Sequence, residues 1–507
     1  ECKEFGEWSK KIDQFIMHNG ISFDAPLLNK FTGSSISPIQ VRDTLLESQL
    51  FNPVREGGHS LESWGERLGF AKLDFHDFSE FSPLMLEYCQ RDVELTRKLA
   101  QNLELEKKKF SNQCYDLERD IRIILDKQQK NGFAFDLMKA QLLLAKLEDE
   151  QHELERHAEE EFEPTIVELK TKTKKIPFNI ASRKQIADRL MERGWEPTKL
   201  TDKGNVIVNE DVLSKIKMPE AQMFSRYFLL QKRTGLLKAW IKECGEDMRV
   251  RGRVLTLKTI TGRMAHHSPN MAQVPAVYSP YGKECRELWT VSNAQTHQLV
   301  GTDASGLELR CLAHYMKDAD FTNEVLTGDV HTANQHAAGL SNRDQAKTFI
   351  YAFLYGAGPA KIGKIVGGGP GKGQKLISKF LSNMPALRTL RSNVQEAAQN
   401  GSIKGLDGRR LMIRSEHAAL NTLLQGAGAI VCKQWLVEID KRVRKSGLDA
   451  KLVASVHDEY QFEVAKPDIN RFTKITKEAM YQTQREFSFR CDLDSDHKVG
   501  NNWAETH

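Results

Sequence analysis

Apolar residues along this chain recur at three- and four-residue spacing through several long stretches and cluster in short runs elsewhere. Residues 1 to about 105 mix short apolar runs with turn signals at Asn19-Gly20 and Gly57-Gly58, then close on Pro83 to Leu103, where the spacing is helical. That alternation predicts an α/β unit. From about 112 to 160 the pattern becomes long, charged and helical. Asn131-Gly132 ends a first helix there and Asp136 caps a second. Two helices joined in this way are expected to fold back as an antiparallel hairpin with solvated outer faces. The basic run KTKTKK (170–175) follows, then FNIASRKQIADRLMERGW (178–195). A run of that kind is usually a solvated surface, with phosphate tracking as the alternative. From 250 to 507 strand-like and helical segments alternate. There is no internal repeat, which excludes a solenoid.

Composition narrows the class. A chain of 507 residues is expected to form about two to four folded units. With 40% hydrophobic residues, 34 Gly and 15 Pro it is neither disordered nor collagen-like. No apolar run approaches the roughly 18 residues of a membrane span. The opening Glu1-Cys2-Lys3-Glu4 has neither Met nor an apolar signal core, so the chain is expected to start inside a longer reading frame, with nothing marking secretion. The 8 cysteines are never closer than 25 residues, so zinc ribbons and dense disulfide scaffolds are not supported and reduced thiols are expected. Net charge is only +5, so a polyanion partner would need a local basic groove.

Three segments carry candidate chemistry. In HQLVGTDASGLELRCLAHYM, Gln298 to Gly301 reads as a strand, Asp303 follows at its end, and a helix starts near Ser305. A carboxylate there is either a helix cap or a metal ligand. In LVASVHDEYQFEV, the runs Leu452–Val456 and Tyr460–Val464 predict a tight hairpin with Asp458 and Glu459 at its tip. If that tip faces Asp303, two aspartates frame a divalent-metal pair ~3.5–4 Å apart, the arrangement used in phosphoryl transfer. In RDQAKTFIYAFLYGAG, residues Arg343, Lys347, Tyr351 and Tyr355 recur every four positions, with Phe349, Ile350, Phe353 and Leu354 left to face a core. A helix that grips a triphosphate and stacks on a base explains all four. His331, in GDVHTAN, is a further phosphate contact or a structural histidine.

These segments resemble motifs A, B and C of the family A DNA polymerases, and most of all the replicative polymerases of short-tailed bacteriophages. Thr261-Gly262-Arg263, the stretch Arg414 to Gln425 and the terminal GNNWAETH match that branch, as do ESWGERLG and CQRDVELT in the first hundred residues. The resemblance implies a multidomain α/β (α+β) chain. Its parts would be a truncated ribonuclease H-like exonuclease domain (1–105), a thumb with connecting helices (106–250), a palm in two parts (251–316 and 405–507) and fingers (317–404). It implies primer extension on a DNA template, with primer–template DNA and deoxynucleoside triphosphates as partners, in the cytoplasm of a bacterial host and without a membrane. Asp303 and Asp458, with the Ala304 carbonyl, would bind two Mg2+ ions. Arg343, Lys347 and His331 would neutralise phosphate charge, and Lys347 would also protonate the leaving group. Tyr355 would stack near the incoming base, Glu308 would exclude a ribose 2′-hydroxyl, and Tyr351 would bear on the same sugar. Arg263, His457, Asn421 and Gln425 would hold the duplex near the primer end.

Two departures from the family pattern matter. Proofreading members carry an Asp-x-Glu pair before two later acidic motifs. Here only the later ones are visible, Asn19 with Asp24 and Tyr88 with Asp92, so an inactive remnant metal site at Asp24 and Asp92 is expected. Well-known phage relatives also insert a large thioredoxin-binding loop where this chain has only Glu163 to Phe178. Thioredoxin is therefore not an expected partner, and Lys170, Lys172, Lys174 and Lys175 remain as electrostatic phosphate contacts. The competing readings are a single-subunit phage RNA polymerase, a non-catalytic DNA-binding relic and a nuclease. Glu308, the intact Asp303, Asp458, Lys347 and Arg343, and the missing acidic pair speak against them in turn.

Overall fold

The computed structural model describes residues 2–169 and 172–507; Lys170 of the basic run lies outside them. The first unit is built on a parallel strand pair, Phe15–Met17 with Val41–Asp43. Its core of Phe15, Leu46, Leu50, Trp64 and Leu99 is closed by helix α1 (Pro83–Lys107). Ser82 caps α1 by accepting the Met85 N–H, and Pro83 occupies the first turn, where no N–H partner is required.

Helix α2 (Asn112–Asn131) ends at Gly132, whose φ of 64° takes the chain into strand β1 (Phe133–Phe135). Helix α3 (Leu137–Glu161) then starts on Asp136, whose carboxylate accepts the Lys139 N–H at 2.9 Å. Both caps fall where the sequence places them, but α2 and α3 do not form a hairpin with each other. Helix α3 packs along α4 (Pro219–Lys242), while α2 lies against Ala419–Ser446. The cause is β1. All three of its residues are apolar and buried, so it inserts between Arg249–Val250 and Trp289–Thr290, where Phe133 and Phe135 meet Trp289 at 5.5 and 4.9 Å. Burying two phenylalanines outweighs the local tendency of the helices to fold back on each other.

The chain's largest sheet among the described residues is four-stranded and antiparallel. Strand β2 (His297–Ala304) is followed by a helical cluster: α5 (Leu307–Met316), α6 (Val330–Ala338), α7 (Arg343–Leu354), α8 (Pro359–Ile365) and α9 (Pro370–Asn383). After α10 (Ala419–Ser446) come strands β3 (Ala450–Val456) and β4 (Glu459–Ala465), helix α11 (Ile469–Glu486) and strand β5 (Ser495–Gly500). The strand order is β3-β4-β2-β5, with β2 central. Helices α10 and α11 lie over one face of it, where the Tyr460 hydroxyl donates to the Cys432 carbonyl (2.9 Å) and Phe462 meets Phe472 (4.7 Å). The opposite face contributes Leu299 and Val453 to the core around Trp289 and Trp503. From Leu299 to Ala304 only Asp303 is exposed. No helix among the described residues is long and apolar enough to cross a membrane, and all 8 cysteines are free.

Four histidines set an acid limit on this fold. His314 stacks on Phe489 at 4.2 Å and its Nδ1 accepts the Arg490 N–H, which requires the neutral ring. Burial pulls His314, and likewise His18, His59 and His266, down to about 4. Unfolded histidines take up protons near 6.5, so the unfolded state binds more protons between those values. Stability is expected to be full above pH ~6.5 and to fall as the pH drops towards 4. A thermal midpoint that stays constant through that window would contradict this.

Candidate active site

The antiparallel register sets Asp303 on β2 opposite Glu459 on β4 and Asp496 on β5. Strands β3 and β4 are joined by His457-Asp458 alone, and His457 takes φ 58°, the left-handed conformation that tight hairpin turns demand. The Asp458 carbonyl accepts the Ala304 N–H at 3.1 Å, which fixes this turn to the end of β2. Asp303 and Asp458 therefore lie at the same end of the sheet and line one cavity of about 670 Å3.

Glu459 does not sit at the hairpin tip as expected; it is the first residue of β4 and its carboxylate turns inward. It accepts from Trp503 Nε1 (2.7 Å) and Gln461 Nε2 and meets His507 Nδ1 at 2.6 Å. Burial alone would raise its pKa, but these partners, His507 first, hold it below the ordinary carboxylate value. Asp303 and Asp458 are different. Neither has an ion-pair partner among the described residues. Crowding within the protein, followed by the charges of Asp458, Glu459, Asp496 and Glu308, pushes Asp303 up to about 7, although its carboxylate still opens on solvent. Burial and then Glu308 raise Asp458. Two hard oxygen donors that line one cavity and have no ion-pair partner form a set that suits a divalent ion. No group of three His, Cys, Asp or Glu among the described residues could hold a metal, so a bound ion would need a backbone carbonyl such as that of Ala304, water or substrate to complete its shell.

Asp458 also lines a second cavity of about 290 Å3, together with Arg263, Glu308, Tyr355, Lys433 and His457. Glu308, in the first turn of α5, accepts the Tyr355 hydroxyl at 3.0 Å and lies 3.7 Å from the Arg263 guanidinium. Gly262 turns the chain into Arg263 with φ 73°. On α7, Ala346, Phe349, Ile350, Phe353 and Leu354 are buried, so the four-residue stripe of Arg343, Lys347, Tyr351 and Tyr355 faces the other way, as its spacing predicts. The Arg343 guanidinium is held by Asp329 at 2.6 Å, and Asp329 also caps α6. The His331 ring lies 6.0 Å from Tyr351; burial, then the Arg343 and Lys347 charges, hold its pKa below the ordinary value. Its Nδ1 is buried without a partner.

Asn421 and Gln425 do not line either cavity. They lie upstream on α10, half-buried, on the stripe that continues to Gly428 and Cys432 in the cavity wall. In the first unit, Asp24 and Asp92 share no contact among the described residues. Asp92 is instead ion-paired to Lys72 at 2.9 Å, and the same ammonium donates to the Tyr88 hydroxyl at 2.7 Å. A buried network carries no local signal in the sequence. Lys433, on α10, donates to both Glu118 oxygens (2.6 and 2.8 Å) and to the Thr256 carbonyl (2.9 Å), while Arg409 bridges Glu118 (2.7 Å) and Asp407 (2.6 Å).

Residues 144–505 match the model of DNA polymerase family A. The chain belongs to that family. It is 33% identical to the DNA-directed DNA polymerase of Enterobacteria phage T3, over 98% of this chain and 93% of that protein. With that of Escherichia phage T7 it is again 33% identical, over 97% and 92%. The first alignment runs over 654 positions against 507 residues here, so the phage T3 enzyme contains segments that this family A polymerase lacks. DNA polymerase I of Geobacillus stearothermophilus is 25% identical over 83% of this chain and 50% of its own. The fold matches the polymerase domain of Pol1 from M. smegmatis, solved with DNA primer-template and dNTP, with a TM-score of 0.79 and 20% identity over 94% of this chain and 84% of that one.

Proposed function

We infer that this family A DNA-directed DNA polymerase extends a primer 3′-hydroxyl at the end of the sheet where Asp303 and Asp458 meet. The observation that carries the reading is this unpartnered aspartate pair, set beside a cavity walled by Glu308, Tyr355 and Arg263. Asp303, Asp458 and the Ala304 carbonyl would hold magnesium, which family A polymerases generally use. When bound, it supplies Lewis-acid stabilisation of the attacking and leaving oxygens. Arg343, Lys347 and His331 receive the triphosphate; the primer 3′-oxygen, giving its proton to water, bonds to the α-phosphorus as the bond from that phosphorus to pyrophosphate breaks, and Lys347 protonates the leaving pyrophosphate. Tyr355 packs at the nascent base pair. Arg263, His457, Asn421 and Gln425 hold the duplex. On this reading, residues 251–316 and 405–507 form the palm, 317–404 the fingers and 106–250 the thumb. Residues 1–105 are an exonuclease-like unit in which Lys72 already occupies Asp92. The test is primer extension with magnesium and four deoxynucleotides, with and without reduced thioredoxin. Extension without thioredoxin dependence is expected; no extension would refute the reading.

Glu308 carries the sugar discrimination. Tyr355 and Arg263 fix its carboxylate, so it can bar the space and the hydrogen bond that a 2′-hydroxyl needs. Glu308→Ala is expected to raise ribonucleotide relative to deoxynucleotide incorporation at least tenfold, or about 1.4 kcal/mol. Equal discrimination by both proteins in competitive incorporation would remove Glu308 from this role. Tyr351, half-buried beside His331, is placed at the same sugar.

A further inference from the structure

Charge is unevenly distributed on this chain. Residues 330–395 hold nine Lys and Arg and a single acid, Asp344, although the whole chain nets only +5. Two of the nine, Arg343 and Lys347, belong to the nucleotide stripe of α7. Most of the others sit on α8 and α9, the pair that follows Tyr355. Lys372, Lys375 and Lys379 are spaced by three and four residues and so share one side of α9, and Lys361 and Lys364 lie one turn apart on α8; all five are exposed. Lys372 donates to the Val366 carbonyl and Lys379 lies against Gly339, which gives both a local structural use. Lys361, Lys364 and Lys375 have no hydrogen-bond or ion-pair partner among the described residues.

The support beneath these lysines is rigid. A side chain at Gly363 would run into the Gly369 carbonyl and one at Gly373 into the Pro359 carbonyl, so α8 and α9 meet backbone to backbone. Helix α8 starts four residues after Tyr355, where the nascent base pair is placed, and its lysines line neither catalytic cavity. DNA ahead of the primer end would pass here. No large apolar or aromatic side chain is exposed on α8 or α9, whose Phe380 is fully buried. Single-strand binders stack bases on exposed aromatics, whereas duplex can be held by phosphate contacts alone. Lys361, Lys364 and Lys375, exposed and without partners, offer three ammonium groups to about three duplex phosphates.

We propose that the lysine face of α8 and α9 binds the phosphates of duplex DNA ahead of the primer terminus, so that the enzyme works against a downstream strand. This rests on the polymerase reading above. The test uses K361A/K364A/K375A on two substrates: a primer–template with a single-stranded overhang, and the same one with a downstream strand annealed across a one-nucleotide gap. On the open template, affinity and single-nucleotide incorporation should stay within about twofold of the parent protein. On the gapped duplex, affinity in moderate salt should fall at least tenfold and displaced product should decline with it. The salt dependence of log K should become shallower by about 2.7, 0.9 for each duplex phosphate contact removed. Equal loss on both substrates would overturn the proposal in favour of single-strand contact. Parent-like behaviour on both would leave a solvated face or a site for an acidic protein, and would equally overturn it. If the parent extends neither substrate, it is the polymerase reading that fails.

Discussion

Asp458→Asn is expected to abolish primer extension, by about 10³-fold or more, with duplex binding nearly unchanged and the fold no less stable. The substitution keeps the volume of the side chain and removes one of the two charges proposed to hold the cation, and the adjoining carboxylate is not free to replace it. Glu459 is the nearest carboxylate in sequence, but its oxygens are committed to Trp503, Gln461 and His507. Duplex affinity is expected to come from phosphate contacts distributed over the surface, so it should survive with its salt dependence intact. Stability separates this chemistry from a folding defect. Burial and the acids around it raise Asp303, and Asp458 is the first of those acids, so its loss relieves repulsion. The thermal midpoint of the variant in chelator should be equal to or above that of the parent. Asp303→Asn should behave alike. Near-parental single-turnover extension by either variant would sink the two-aspartate site.

Much of this site is legible in the sequence because it is made by local geometry. Asp303 terminates a strand, His457-Asp458 is a hairpin turn, and the α7 stripe follows from a four-residue step; each needs only its own ten or so neighbours. What the local sequence misplaces depends on contacts between distant segments. Helices α2 and α3 have the caps of a hairpin, but three buried residues between them pair with strands more than a hundred positions away. Glu459 looks like a second tip carboxylate until Trp503 and His507 arrive from the far end of the chain. Asp329 has the ordinary signature of a helix cap, and nothing local shows that it also holds Arg343. The charge asymmetry of residues 330–395 was open to counting, but its meaning depends on which lysines the fold leaves without partners.

Lys433→Met is expected to destabilise the protein by about 3–5 kcal/mol, the largest stability effect of any single change considered. Lys433 and Glu118 are both essentially inaccessible to solvent, and so are Arg409 and Asp407. Their four charges join α2, the turn at 407–409 and α10, segments 315 positions apart at the Glu118–Lys433 contact. Burial pulls Lys433 down to about 8 against the opposing pull of Glu118, so the ammonium is held by this partner and by the Thr256 carbonyl. Removing it leaves Glu118 in a dry site with Arg409 alone, which must also neutralise Asp407. An unpaired buried charge costs more than the pair contributes, so the double variant Glu118→Gln/Lys433→Met should be more stable than the sum of the single losses requires, by about 1–3 kcal/mol. The effect should reach the site as well. Lys433 lines the cavity beside Asp458, and Arg409 packs under Gly262, the residue that turns the chain into Arg263. A loosened network should therefore weaken primer binding more than it slows the chemical step, raising KM for primer–template while kcat changes little. Denaturant unfolding of the four proteins of the cycle, with steady-state kinetics on each, makes the test. Additive losses in the cycle, or a single variant as stable as the parent, would show that these buried charges are not coupled.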